Sequence, residues 1–221
     1  QLSDLLPLEP TATPTPTPTS TPLPTSTAIP SPTSRPSLVV KEAPIPIAEG
    51  TPPPELQEAW HYLRLNGDRV QCQMCWRQCT VGQGQRGFCR NKVNLGGRYY
   101  TLVYGRPSAL QIDPVEKEPH FHMLPGGTIF CTGTASCNNR CKFCHNWHLS
   151  QRSFEEIENV EMSPAQTVAL AQEYECDAVS FTYNEPTVFY EHMYDTTRLA
   201  KGAGLGTLFH TNGGINEEPL A

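Results

Sequence analysis

Cys137-Asn138-Asn139-Arg140-Cys141-Lys142-Phe143-Cys144 is the stretch on which the reading of this chain turns, with three cysteines separated by three and then two residues. Thiols packed this tightly along a chain point to a metal. A structural zinc takes four ligands in a closed tetrahedron, often from two distant pairs. Three nearby thiolates can instead hold three irons of a cubane cluster and leave the fourth iron open for chemistry. The plainer readings of the same residues are a zinc knuckle with a distant fourth ligand, or cysteines that only pack.

Working outward, Thr128-Ile129-Phe130-Cys131 reads as a short buried strand that ends at Thr132-Gly133 and feeds the cysteine loop. After an acidic linker, Ser163 can cap a helix with Pro164 at its first position and Val168, Leu170 and Ala171 as its apolar stripe. Asp177 to Thr182 predicts a second strand. Pro186 to Lys201 predicts a second helix, with Val188, Phe189, His192, Met193 and Leu199 at helical spacing and Gly202 and Gly204 as its stop. Leu205 to His210 predicts a third strand. This alternation argues for an α/β fold with a parallel sheet, whose chemistry gathers at the carboxyl ends of the strands. Each of the three strands ends in a polar loop: the cysteine loop, Tyr183-Asn184-Glu185-Pro186, and Thr211-Asn212-Gly213-Gly214. Taken singly, the second and third are an N-cap and a turn.

Upstream lies a second constellation, Cys72, Cys75, Cys79 and Cys89, with Gly82, Gly84 and Gly87 before the last thiol. Four thiolates joined by a glycine-rich turn are able to close around one zinc or one iron–sulfur cluster, and the plain role is to staple a region too small to hold itself together. Pro54, Glu55, Glu58, Leu56, Trp60 and Leu63 predict a short amphipathic helix ending near Asn66-Gly67. Arg98 to Tyr104 predicts a strand. His120 and His122 alternate on an extended stretch and are left out of the ligand set.

The chain has 221 residues, and 15 of its 22 prolines fall within residues 1 to 54. That composition predicts a disordered, extended Pro/Thr-rich linker over residues 1–54. A small Cys-rich region at 55–125 and an α/β part at 126–221 follow. The net charge of -6 excludes a basic nucleic-acid footprint, and no apolar run is long enough for a membrane span. Nine cysteines, an odd count in clustered short spacings, favour metal ligation over disulfides. Gln1 opens without an initiator methionine or signal peptide, so the true N-terminus is expected to lie upstream.

The three-plus-two spacing, with Phe143 before the last cysteine, resembles the cluster loop of the radical S-adenosylmethionine (radical SAM) enzymes. The resemblance implies that Cys137, Cys141 and Cys144 hold a 4Fe–4S cluster whose open iron chelates the methionine part of SAM. An electron from the cluster then cleaves the sulfonium to a 5′-deoxyadenosyl radical. It implies further that Phe143 sits near adenine and Trp147 packs over the cluster. Asn184 and Glu185 meet the SAM ammonium group, although the usual loop carries a Gly-Glu pair, and Thr211, Asn212 and Gly213 contact SAM farther round. The four-cysteine segment, Glu116-Lys117-Glu118-Pro119, Leu124-Pro125-Gly126-Gly127 and Thr182-Tyr183-Asn184-Glu185-Pro186-Thr187 are together similar to the AmmeMemoRadiSam-system radical SAM enzymes. Those are relatives of pyruvate formate-lyase activating enzyme, and the resemblance covers roughly residues 70 to 221.

The implied fold is a partial (β/α)6 barrel cut after about three units, so the chain is expected to be a fragment. The implied partners are a reductant such as flavodoxin or ferredoxin and a substrate, a protein among the candidates. The chemistry predicts a cytoplasmic location, while the Pro/Thr-rich tail points toward export or anchoring. The competing expectation is a non-catalytic zinc-binding interaction module.

Overall fold

The computed structural model describes residues 56–221, so the linker expected over residues 1–54 lies outside the described residues. Ten strands occur among those residues. They are β1 (Gln57–Glu58), β2 (Tyr62–Arg64), β3 (Val70–Cys72), β4 (Thr80–Val81), β5 (Lys92–Leu95), β6 (Arg98–Thr101), β7 (Ala109–Pro114), β8 (Thr128–Gly133), β9 (Ala178–Phe181) and β10 (Gly206–Phe209). The helices are α1 (Trp147–Ser150), α2 (Pro164–Glu173), α3 (Tyr190–Gly202) and α4 (Glu217–Leu220).

The main sheet has the order β10-β9-β8-β7. β8, β9 and β10 run parallel, as their alternation with helices predicts, in a register that sets Ile129 beside Ala178 and Gly206 beside Ala178. Successive side chains on a strand point to opposite faces. On one face Phe130, Val179 and Phe181 join Val168 and Ala171 of α2 and Ala200 of α3 in the largest apolar cluster. On the other, Ile129, Cys131, Ala178 and Leu208 pack with Val115. β7 is a strand the sequence reading does not anticipate. It pairs antiparallel with β8, from Ala109 opposite Gly133 to Pro114 opposite Thr128.

The helix starts follow local chemistry. Ser163 Oγ accepts from Gln166 N at 3.2 Å while Ser163 N donates to Gln166 Oε1 at 2.8 Å, a capping box with Pro164 at the first helical position. The second helix begins as a 3-10 turn over Pro186–Phe189 before α3 takes over. His192 of α3 is fully buried, stacked on Phe189 with centroids 4.4 Å apart, and its Nδ1 accepts from Gly105 N at 3.2 Å. Burial drives its pKa down to about 3, so it is a neutral core residue.

Two small antiparallel sheets, β1-β6-β5 and β2-β3-β4, precede the main one. Here the helix expected from Pro54 to about Gly67 is replaced, over its described part, by β1 and β2. Long-range partners override the local pattern. β1 pairs with β6, Ala59 N donates to Tyr99 O at 2.8 Å, and Trp60 N donates to Glu191 Oε1 at 2.9 Å. His61 turns the chain at φ 54°, and Leu63, expected on the apolar face, is 53% exposed. The strand expected through Tyr104 stops at Thr101.

Candidate functional site

The carboxyl ends of β8, β9 and β10 lead into the three polar loops, which therefore meet on one rim. Tight geometry marks each of them. Ser136, just before Cys137, has φ 68°; Tyr183, just before Asn184, has φ 72°; Gly213 has φ 75°. Left-handed backbone costs a non-glycine residue about 1–3 kcal/mol, so Ser136 and Tyr183 must be held by their surroundings. Gly133 shows how close the loops run, since a Cβ there would stand 2.5 Å from Thr182 O.

The side chains expected to meet a ligand are tied to one another. Asn184 Nδ2 donates to Ser136 O at 2.6 Å and its Oδ1 accepts from Thr134 N at 3.3 Å, so this side chain fastens the second loop to the start of the first. The carboxylate of Glu185, 2% exposed, accepts from Thr187 N at 3.1 Å, from the Thr187 hydroxyl, from Thr211 Oγ1 at 2.9 Å and from Asn212 N at 2.7 Å. It binds the second loop to the third. Asn212 Nδ2 donates to Asn138 Oδ1 at 2.8 Å, which closes the circuit back to the cysteine loop, and Gly213 N donates to Thr211 Oγ1 at 3.0 Å. Asn138 is a hub that spacing alone does not reveal. The available signal is only an asparagine directly beside Cys137; its burial, to 1% exposure inside an otherwise accessible loop, comes from the fold.

The first loop keeps its sulfurs near the surface. Cys141 is exposed, Cys137 and Cys144 are half-buried, and all three are free thiols. Burial raises the Cys137 thiol, the Glu185 carboxylate and Cys141 push it the same way, and the backbone N–H groups of Asn139 and Glu185 offset only part of this. Asn139 N lies 3.5 Å from Cys137 Sγ. Cys144 Sγ is 3.2 Å from Ser150 Oγ on α1, a contact the sequence does not announce. Phe143 is 91% exposed and Trp147 57% exposed, so neither side chain serves the core. Among the described residues no three His, Cys, Asp or Glu side chains converge on a single ion. The donor set of the loop, three thiols with N–H groups aimed at the first, has the chemistry that an iron–sulfur cluster takes.

The second constellation stands in the β2-β3-β4 region. Cys72 is buried and Cys75, Cys79 and Cys89 are half-buried free thiols. Cys75 forms a bridge with Ile215, Trp76 N donates to Gly214 O at 3.2 Å, and Asn216 N donates to Met74 O at 3.1 Å. This region therefore abuts the third rim loop. A cleft of about 590 Å³ opens elsewhere, between the β7 edge at Ser108–Gln111 and Asn146, His148, Leu149 and Tyr183. It shares the neighbourhood of the first two loops but includes none of the predicted ligands. Among the described residues no helix is long and apolar enough to cross a membrane.

Residues 132–221 match the family model of the Radical SAM superfamily. An uncharacterized protein of Methanocaldococcus jannaschii is 42% identical over 165 residues, covering 75% of this chain and 50% of that protein. A second uncharacterized protein of the same organism is 31% identical over 86 residues, covering 38% of this chain and 20% of that protein. The chain thus spans half the length of one of these curated relatives and a fifth of the other. No solved structure matches significantly. Over residues 132–221, where the three-loop rim lies, the chain carries a radical SAM superfamily domain.

Proposed function

We propose that the chain is part of a radical SAM enzyme of the activating-enzyme-like kind, with Cys137, Cys141 and Cys144 as ligands of a 4Fe–4S cluster and a partial (β/α)6 barrel as its frame. When bound, the cluster supplies one electron to the sulfonium of SAM, splitting it into methionine and a 5′-deoxyadenosyl radical that takes a hydrogen atom from a substrate. The observation that carries this reading is the convergence of three interlinked polar loops on one rim, the first holding the three cysteines.

The chain's own residues have distinct tasks. Exposed Cys141 leaves the approach to the loop open. The N–H groups of Asn139 and Glu185 point at the Cys137 sulfur. Phe143 offers an exposed ring for a nucleobase. Asn184 and Glu185, read from the resemblance as SAM contacts, act in this proposal through the loops they fasten, and Thr211, Asn212 and Gly213 present the third loop to the cofactor. A flavodoxin- or ferredoxin-like donor in the cytoplasm supplies the electron, and a protein is the proposed substrate class.

Electron paramagnetic resonance of the anaerobically reconstituted, reduced protein tests the proposal. A reduced-cluster signal whose g-values change when SAM is added is the expected result. Zinc at both cysteine groups with no iron absorbance would replace this reading with that of a non-catalytic interaction module.

A further inference from the structure

We propose that Cys72, Cys75, Cys79 and Cys89 bind one metal centre as thiolates, a zinc ion or an iron–sulfur cluster, and that this centre braces the rim of the Cys137–Cys144 loop through Asn138 and Arg77. The metal site stands without the radical SAM reading; only the value of the brace to catalysis rests on it.

The four sulfurs share one neighbourhood. Cys72 feels Cys75 and Cys79, Cys89 feels Cys72 and Cys75, and the buried Tyr99 hydroxyl feels Cys72, Cys79 and Cys89. One of the sulfurs also meets a backbone donor. Phe88 N donates to Cys79 Sγ at 3.4 Å. Cys72 N donates to Cys79 O and Gln78 N donates to Cys75 O, each at 3.0 Å, so one hairpin holds the first three cysteines together, and the Phe88 contact brings the segment before Cys89 against them. The Lys92 ammonium adds a buried positive charge facing Cys72 and Cys89.

Asn138 is an independent pointer to a ligand. Its buried Nδ2 faces the Cys75 sulfur and has no other hydrogen-bond partner. A thiol is a weak acceptor and a metal-bound thiolate a better one, so occupancy of the site would satisfy this donor better. Among the described residues the sulfurs do not converge on a single ion, and the proposal needs the turn that carries Cys89 to close as metal binds. Gly84, at φ 71°, has no atom within 4 Å of where a Cβ would be. Gly87 is the tight point of that turn. A Cβ there would lie 2.9 Å from Tyr99 Oη, so glycine lets the backbone pass the tyrosine hydroxyl, with Cys79 Sγ in ordinary contact at 3.6 Å.

The brace consists of contacts already in place. Arg77 Nε donates to Asn138 O, and the Arg77 guanidinium lies 3.4 Å from the centroid of Phe88, whose ring also faces Arg140 of the other loop at 5.1 Å. Asn138 Oδ1 in turn holds Asn212. Closing the four thiolates on a metal fixes the segment that carries Arg77, and through it the two rim loops.

The test uses the protein with Cys137→Ala, Cys141→Ala and Cys144→Ala combined, so that the rim site drops out of the readout. After anaerobic reconstitution, elemental analysis should find either zinc or iron with sulfide, and thiolate charge-transfer absorption identifies the latter. Stripping that metal with a chelator should raise amide hydrogen exchange across residues 211–216. A variant that binds neither metal overturns the site, and exchange unchanged by chelation overturns the brace. Should the variant fail to fold, alkylation of the wild-type protein mapped by mass spectrometry decides. Metal must then protect Cys72, Cys75, Cys79 and Cys89 as a set, and unprotected thiols sink the proposal.

Discussion

The two cysteine regions set the same side chain in opposite surroundings. In the rim loop the middle sulfur is exposed, the neighbouring Phe143 is open to solvent, and only three thiols are present. In the four-cysteine region one thiol is buried and three are half-buried, near a buried hydroxyl and a buried ammonium. On the two proposals above, three cysteines with one exposed suit a centre that must admit a substrate, and four with one buried suit one that stays closed, so that ligand number and access distinguish them more sharply than cysteine spacing does.

The largest effect that would break this comparison lies behind the four thiols. Lys92 Nζ is 2.5 Å from Glu191 Oε1, with side chains 2% and 1% exposed. Burial opposes the charge on Lys92, yet Glu191 holds its pKa above the usual value. Lys92→Met leaves the carboxylate without its cation and should cost about 3–5 kcal/mol in urea unfolding, whereas Lys92→Met with Glu191→Leu should recover part of that, Trp60 N losing its acceptor. If the single variant costs nothing, the four-cysteine region is not the rigid support described.

On the rim side the expected effect is smaller. Glu185→Gln replaces an acceptor of four donors by a group that can accept at only one atom, and should cost roughly 2–3 kcal/mol. Denaturant unfolding checks this, and increased hydrogen exchange at Asn212 should accompany it. The smallest effect sharpens the contrast most. Phe143→Ala should leave stability within about 0.5 kcal/mol, because the ring is 91% exposed, while SAM affinity measured by equilibrium dialysis falls severalfold. A loss of stability with unchanged affinity would make Phe143 a packing residue.

The α/β part was legible because its parallel strands are short apolar runs bounded by turn signals, and its helices carry caps that act locally. Thr128–Gly133, the Ser163 cap and the stop near Gly202 needed nothing distant. The small sheets were not legible, because their two- to four-residue strands are decided by partners far along the chain, such as Glu191 for Trp60. The same distance hid the work of Asn138, Asn184 and Glu185. The residue types and loop positions of Asn184 and Glu185 marked a site, but only the fold shows that their polar atoms tie the neighbouring loops together, and that Asn138 joins them through Asn212.

The central claim is that the rim loop, and not the four-cysteine region, carries the cleavage of SAM. Its most direct test is the amount of 5′-deoxyadenosine formed from SAM under a strong reductant by the anaerobically reconstituted protein and by its Cys141→Ala variant. The account predicts product from the first and none from the second, with the metal of the four-cysteine site retained in both. Equal product from the two proteins, or none from a wild-type protein fully loaded with iron, would contradict it.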